Sequence, residues 1–121
     1  MKKLLLTIVA FLFVACGGSN PEDIANKFFE GVFKGKVDNV VECFEYNQYT
    51  KEVVKGKVSM MVLTASEKAK QHGGFKSVKT KLINKTENTA KATTTLIFKD
   101  GTKIDENVSL YNKDGKWFIQ M

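Results

Sequence analysis

The sequence predicts an α+β domain in which N-terminal helices pack on a curved four-stranded antiparallel meander. Three observations carry that reading. Apolar residues recur at helical spacing from Ile24 to Ala69. Beyond Gly73-Gly74 the period drops to two, the alternation of a half-buried strand. Two turn signals, Asp100-Gly101 and Asn112-Lys113-Asp114-Gly115, divide this second half into hairpins. Helices first and strands afterwards is the order of an α+β domain.

Each element has its own local cause. Asn20 suits a helix N-cap, Pro21 the first helical position, and Glu22 and Asp23 the positive end of the helix dipole. Ile24, Phe28, Val32 and Phe33 then share a face with Phe29 beside them, and Gly35 stops the helix. Asp38 is the expected cap of a short second helix carrying Val40, Val41 and Phe44. Thr50 is the expected cap of a longer third one, whose stripe is Val54, Val58, Met61, Val62, Ala65 and Ala69. Met60 and Met61 read as flexible core filler. Gly73-Gly74 ends this helix, with His72 as a cation at its C-terminus.

Strands are expected over 76–85, 89–99, 103–111 and 116–121. Their alternation places Thr80, Leu82, Thr94, Leu96, Val108, Leu110, Trp117 and Ile119 on the inward face. Lys91, Thr93, Thr95, Asp105, Asn107 and Ser109 fall on a polar outer face. Glu106 shares parity with Val108, and an edge position in solvent is expected for it. A meander of this length twists and curls, so it should wrap around the helices as a cone.

Composition narrows the function classes. The chain has 121 residues, of which 43% are hydrophobic, too many for a disordered tail. Its net charge of +6 comes from 19 lysines and no arginine. Arginine is the usual bidentate reader of phosphate and guanine, so its absence and the scatter of the lysines argue against nucleic acid. A Lys-rich solvated surface is the plain reading. No metal-ligand spacing, phosphate loop or Ser/His/Asp arrangement is present, and no cofactor is expected.

The first sixteen residues, MKKLLLTIVAFLFVAC, carry the clearest motif. Lys2 and Lys3 precede a run from Leu4 to Val14 that is apolar except for Thr7. As a helix this run spans about 16 Å, too short for a bilayer core of about 30 Å. A charged start, a short apolar run and a small residue at its end describe a secretory signal peptide. Val14-Ala15-Cys16 before Gly17-Gly18-Ser19-Asn20 resembles the lipobox of bacterial lipoproteins, with Phe13 standing where leucine is usual. The resemblance implies a diacylglycerol on the Cys16 thiol and cleavage between Ala15 and Cys16. Residues 1–15 would then be the signal peptide, 16–20 a lipidated tether and 21–121 the folded domain. Two or more acyl chains anchor stably where one does not. The expected location is therefore the bacterial cell envelope, held to the membrane through Cys16. Gly17, rather than Asp, leans towards the outer membrane of a Gram-negative host.

With Cys16 lipidated, Cys43 has no disulfide partner. Its apolar neighbours Val40, Val41 and Phe44 favour a buried thiol that packs as a small hydrophobe. A nucleophile would need a base, and His72 is the one histidine.

The element order, with the closing Tyr111-Asn112-Lys113-Asp114-Gly115-Lys116-Trp117-Phe118-Ile119, resembles the nuclear-transport-factor-like, or cystatin-like, cone. More narrowly, the chain is similar to small bacterial lipoproteins of a domain-of-unknown-function group described as lumazine-binding-like. The resemblance implies a pocket between the helices and the concave sheet. Phe29, Phe33, Met61, Leu82, Thr94, Leu96, Val108, Leu110 and Trp117 are its expected lining. Enzymes of this superfamily use Asp, Tyr or His groups inside the cone, and the inferred inward faces show no such set. The expected function is a membrane-anchored lipoprotein with a non-catalytic binding or interaction domain, for a small apolar ligand or an envelope protein. The alternative is a small hydrolase, isomerase or lyase acting on an apolar molecule, with Tyr46 and Tyr49 as the best candidates for a polar lining or, equally, surface aromatics on a loop. A purely structural surface protein without a ligand is the third reading.

The anchor is directly testable. Cys16→Ser, or globomycin treatment, should shift the protein from the detergent phase to the aqueous phase. Recovery of a soluble cytosolic species that still carries Met1 to Ala15 would overturn the assignment.

Overall fold

The structure is a computed structural model that describes residues 20–120. The expected signal peptide, the expected Ala15-Cys16 cleavage site, Gly17 to Ser19 of the expected tether and Met121 lie outside the described residues. Three helices precede four strands among the described residues: α1 (Pro21–Lys34), α2 (Val37–Val41), α3 (Lys51–Gln71), β1 (Phe75–Lys85), β2 (Thr89–Phe98), β3 (Lys103–Lys113) and β4 (Lys116–Ile119). The strands form one antiparallel sheet in sequence order, β1-β2-β3-β4. This is the α+β cone that the residue periods predict.

The helix boundaries match the expected signals, with differences in how the ends are capped. α1 starts at Pro21 with Glu22 and Asp23 in its first turn and stops at Gly35. α2 begins two residues earlier than expected, so Asp38 lies in its first turn and the Lys36 carbonyl accepts the Val40 N–H at 3.2 Å. Thr50 does stand before α3, but its hydroxyl accepts the Asn47 N–H at 3.0 Å instead of capping the helix. The Asn47 carboxamide oxygen in turn accepts the N–H groups of Tyr49 and Thr50. A local Asx turn has replaced the cap, since short polar side chains compete for nearby backbone groups.

α1 is the centre of the packing. It lies across the concave side of the sheet against β1, β2 and β4, while α2 and α3 cover its other side. Because both sides are covered, its apolar face is wide. Ala25, Phe29 and Val32 are buried at the middle of that face, and Ile24, Phe28 and Phe33 flank them half-buried. Inside the sheet Ala90, Ala92, Thr94, Leu96 and Phe98 are all buried on one face of β2. Register shifts at Phe75/Ser77 and Leu82/Asn84 bend β1, as an extra unpaired residue increases local twist.

Thr94 is the one polar residue fully buried in the described core. Its hydroxyl is satisfied by Thr80 at 2.7 Å, and the Thr80 hydroxyl donates to the Asn26 carboxamide oxygen at 2.7 Å. This short chain of hydrogen bonds runs from β2 through β1 to α1. A buried polar network of this kind admits one arrangement, because any slip leaves a donor or acceptor unpaired. The outer face is tied differently, by Thr93 donating to Asn107 at 2.8 Å and Thr95 to Asp105 at 2.7 Å.

α3 is fastened at its end. The Gly74 N–H returns to the Ala69 carbonyl at 2.8 Å, with Gly73 at φ 80° and Gly74 at φ 114°, a turn that a Cβ would strain. The Lys99 N–H then bonds the Gly74 carbonyl and the Asp100 N–H the His72 carbonyl. The His72 ring sits 3.3 Å from the Asp100 carboxylate and packs near Phe98. Thus the C-terminal end of α3 is pinned to the β2–β3 turn.

Cys43 is fully buried between these layers, and its thiol donates to the carbonyl oxygens of Asn39 at 3.5 Å and Ile24 at 3.8 Å. Burial pushes its pKa from 9.0 up to about 11. The thiol is therefore a protonated core group at neutral pH, with His72 engaged by Asp100 instead.

Two predictions follow from the packing. A Cβ on Gly31 would lie 2.6 Å from Val40 Cγ2, so α1 approaches α2 closely only because residue 31 has no side chain. Gly31→Ala should cost about 1–3 kcal/mol by overpacking, despite a helix-propensity gain of about 1 kcal/mol. Denaturant unfolding of Gly31→Ala, Val40→Ala and the pair should show the two changes partly cancelling; strict additivity would refute the contact. For Cys43 the folded pKa lies above the unfolded one. Its contribution is complete below pH 9 and is lost as pH rises towards 11, because the unfolded thiol ionises first. Wild-type stability should fall more steeply than that of Cys43→Ala across this window, by at most about 1.4 kcal/mol per pH unit. Parallel pH profiles for the two proteins would show that the thiol is not shielded.

Candidate functional site

The aromatic edge of α1 props α3 away from the sheet and leaves an open cleft. Phe28 and Phe29 meet edge-on at 4.8 Å, and Phe28 meets Phe44 at 5.6 Å. Phe33 stacks on Phe75 at 5.0 Å and meets Phe98 edge-on at 5.6 Å. Rings locked in this way cannot collapse into the gap, so the space between α1, α3 and the concave sheet stays hollow.

Two adjoining hollows make up the cleft. The first, of about 460 Å³, is walled by Phe28, Phe29, Val32 and Phe33 of α1, by Met60, Met61, Thr64, Ala65 and Lys68 of α3, and by Leu96 and Glu106 of the sheet. The second, of about 440 Å³, shares Phe28, Phe29, Met61 and Glu106 and runs on past Phe44, Val108 and Ile119. Both volumes lie in the range of small-molecule sites, roughly 300–1,000 Å³. The walls are mostly aromatic, aliphatic and thioether; Thr64 in the first hollow and Asn107, Ser109 and Gln120 in the second add polar groups, and two charged side chains, Lys68 and Glu106, stand among them. Both are half-buried.

The expected lining residues divide into two groups. Phe29, Phe33, Met61, Leu96 and Val108 border the cleft. Leu82, Thr94, Leu110 and Trp117 face inward too but lie elsewhere. Thr94 and Leu110 have no exposed surface, Trp117 is buried beside Ile119 in the core cluster, and Leu82 packs half-buried against that cluster. The physical reason is the position of α1, which lies against β1, β2 and β4, so that of the inner sheet positions expected to line the site only Leu96 and Val108 border the cleft.

Three expectations need correction. Met60 is 67% exposed and stands at the cleft's rim instead of filling the core. Glu106 does not lie at a solvent edge; it pairs in register with Thr94 on the inner face of β3 and lines both hollows. Tyr46 and Tyr49, 38% and 81% exposed, sit on the α2–α3 connection away from the cleft. Residues 28, 64 and 68 had no sequence signal of a site, because a cleft wall and a core face share the same helical period.

A second polar cluster lies outside the cleft. Glu45 accepts hydrogen bonds from the Lys113 ammonium and, at 2.6 Å, from the Tyr111 hydroxyl. The Lys113 bond, then that of Tyr111, holds the Glu45 carboxyl below its ordinary range. Burial, reinforced by Glu45, pushes Tyr111 up to about 12. These groups tie the α2–α3 connection to β3 and are saturated by one another. Among the described residues no group of three His, Cys, Asp or Glu is placed to hold a metal ion, and no helix is long and apolar enough to cross a membrane.

Comparisons with known proteins agree with this fold. A crystal structure at 2.00 Å of a Campylobacter jejuni protein, carrying the provisional description of an NTF2-like transpeptidase, is similar to this chain with a TM-score of 0.73 and 28% identity. The similarity covers 84% of this chain and 97% of that one, so the cone is shared across nearly the whole neighbour. No curated protein matches the chain. The model of a family described as "Domain of unknown function (DUF4878)" matches residues 14–120, and the chain belongs to that family, with an NTF2-like cone as its fold.

Proposed function

We propose that this protein is an envelope lipoprotein, anchored through Cys16, whose cone is a non-catalytic domain that binds a small apolar ligand in the cleft between α1, α3 and the sheet. The observation that carries the reading is the cleft itself. Six large apolar side chains from three elements, Phe28, Phe29, Phe33, Met60, Met61 and Leu96, converge on a space that their own packing keeps open. Apolar surface left in water costs roughly 25 cal/mol per Å², and an apolar occupant recovers it. Met60 and Met61 add walls that adapt to different shapes.

The catalytic reading is less well supported. Acyl or peptidyl transfer needs a nucleophile activated by an adjacent base. Cys43 is buried, protonated and hydrogen-bonded to carbonyls, and His72 is held by Asp100. Cys43 and His72 therefore supply no nucleophile–base pair that would match the provisional transpeptidase description of the Campylobacter jejuni neighbour. Hydrolase, isomerase and lyase chemistry asks for two ionisable groups on one reacting centre. Lys68 and Glu106 share the cleft but form no ion pair with each other.

A neutral diazirine-bearing fatty alcohol tests the reading on membranes or on the purified protein. Photolysis should label peptides spanning 28–33 and 60–68. Met61→Lys, which places a charge on a half-buried wall without removing core volume, should lower that labelling about tenfold, the factor expected from roughly 1.4 kcal/mol. Labelling spread evenly over the surface, or unchanged in Met61→Lys, would contradict a binding cleft.

A further inference from the structure

Lys68 and Glu106 pose a problem of charge. Lys68 comes from α3 and Glu106 from the inner face of β3, and both are half-buried against aromatic and thioether walls. The four ion pairs among the described residues are Lys27–Glu42, Lys34–Glu30, His72–Asp100 and Lys113–Glu45. The two cleft charges therefore face one apolar space without neutralising each other. Glu106 is fixed opposite Thr94 in the sheet register, and Lys68 is carried by the part of α3 that is pinned to the β2–β3 turn.

Any occupant of the cleft deepens the burial of both groups. A neutral chain would desolvate a cation and a carboxylate with nothing to pair them. An anionic amphiphile would satisfy Lys68 but press its charge towards Glu106. A cationic one would do the reverse. Only a ligand carrying both signs meets both groups. We propose that the cleft takes a zwitterionic amphiphile, with its chain against Phe28, Phe29, Phe33 and Met61, its anionic group on Lys68 and its ammonium group on Glu106. This assignment rests on the apolar-cleft reading above and names the ligand class for it.

The full chain recovered from membranes and held in amphipol can be titrated by native mass spectrometry. The probes are a lysophosphatidylethanolamine, a free fatty acid, an alkylamine and a neutral alkyl glucoside, all of equal chain length. The zwitterion should bind about tenfold tighter than each of the other three. Lys68→Gln should weaken the zwitterion and the fatty acid while strengthening the alkylamine. Glu106→Gln should weaken the zwitterion and the alkylamine while strengthening the fatty acid. Such opposite shifts cannot come from unfolding, which weakens every probe. Equal binding of all four, unchanged in both variants, would overturn the head-group assignment and leave the apolar cleft standing. So would a preference for a singly charged probe. Binding of none of them by a protein with unaltered circular dichroism would remove both readings together.

Discussion

The aromatic edge of α1 is the constraint on which the rest of the structure depends. Phe29 is buried on the sheet, and Phe28 and Phe33 flank it and engage rings from the α2 end and from β1 and β2. Large rigid rings fill the concave face on one side of the helix and hold α3 off on the other. A helix with alanines there would let α3 settle onto the sheet. The same packing thus closes the core and opens the cleft.

Polar groups do the placing. Asn26, Thr80 and Thr94 lock α1 to β1 and β2 through two 2.7 Å hydrogen bonds in a buried setting. At the far end the backbone bonds from Lys99 and Asp100 hold the end of α3. With α1 fixed on the sheet and α3 fixed at its end, the cleft lies between the two helices and the sheet. Charges that serve the scaffold are paired: Glu45 with Lys113 and Tyr111, His72 with Asp100. The two in the cleft are half-buried and form no ion pair with each other, and the binding argument grows from that contrast.

Much of the fold was legible from residues alone. Pro21 after Asn20, the diglycine at 73–74, Asp100-Gly101 and the alternation of Ala92, Thr94, Leu96 and Phe98 each encode a local event, and local events dominate element boundaries. The site was only half legible. Phe29, Phe33, Met61, Leu96 and Val108 were identified as inward-facing, and they border the cleft. Leu110 and Trp117 share that facing but are covered, because inward parity does not say which inward positions α1 sits upon. Met60 looked like core and Glu106 like surface for the same reason. Each was judged by its own chain neighbours, whereas its surroundings come from elements far away in sequence.

By itself the sequence determined the order and type of the elements and the polar outer face. These depend on periodicity, turn chemistry and short motifs, all contained within a few residues. Tertiary structure alone decided that α1 covers one part of the concave sheet and leaves another bare, and that Lys68 and Glu106 look into the bare part without touching. Such facts depend on how three helices of fixed shape share one curved surface, and no stretch of chain contains that information.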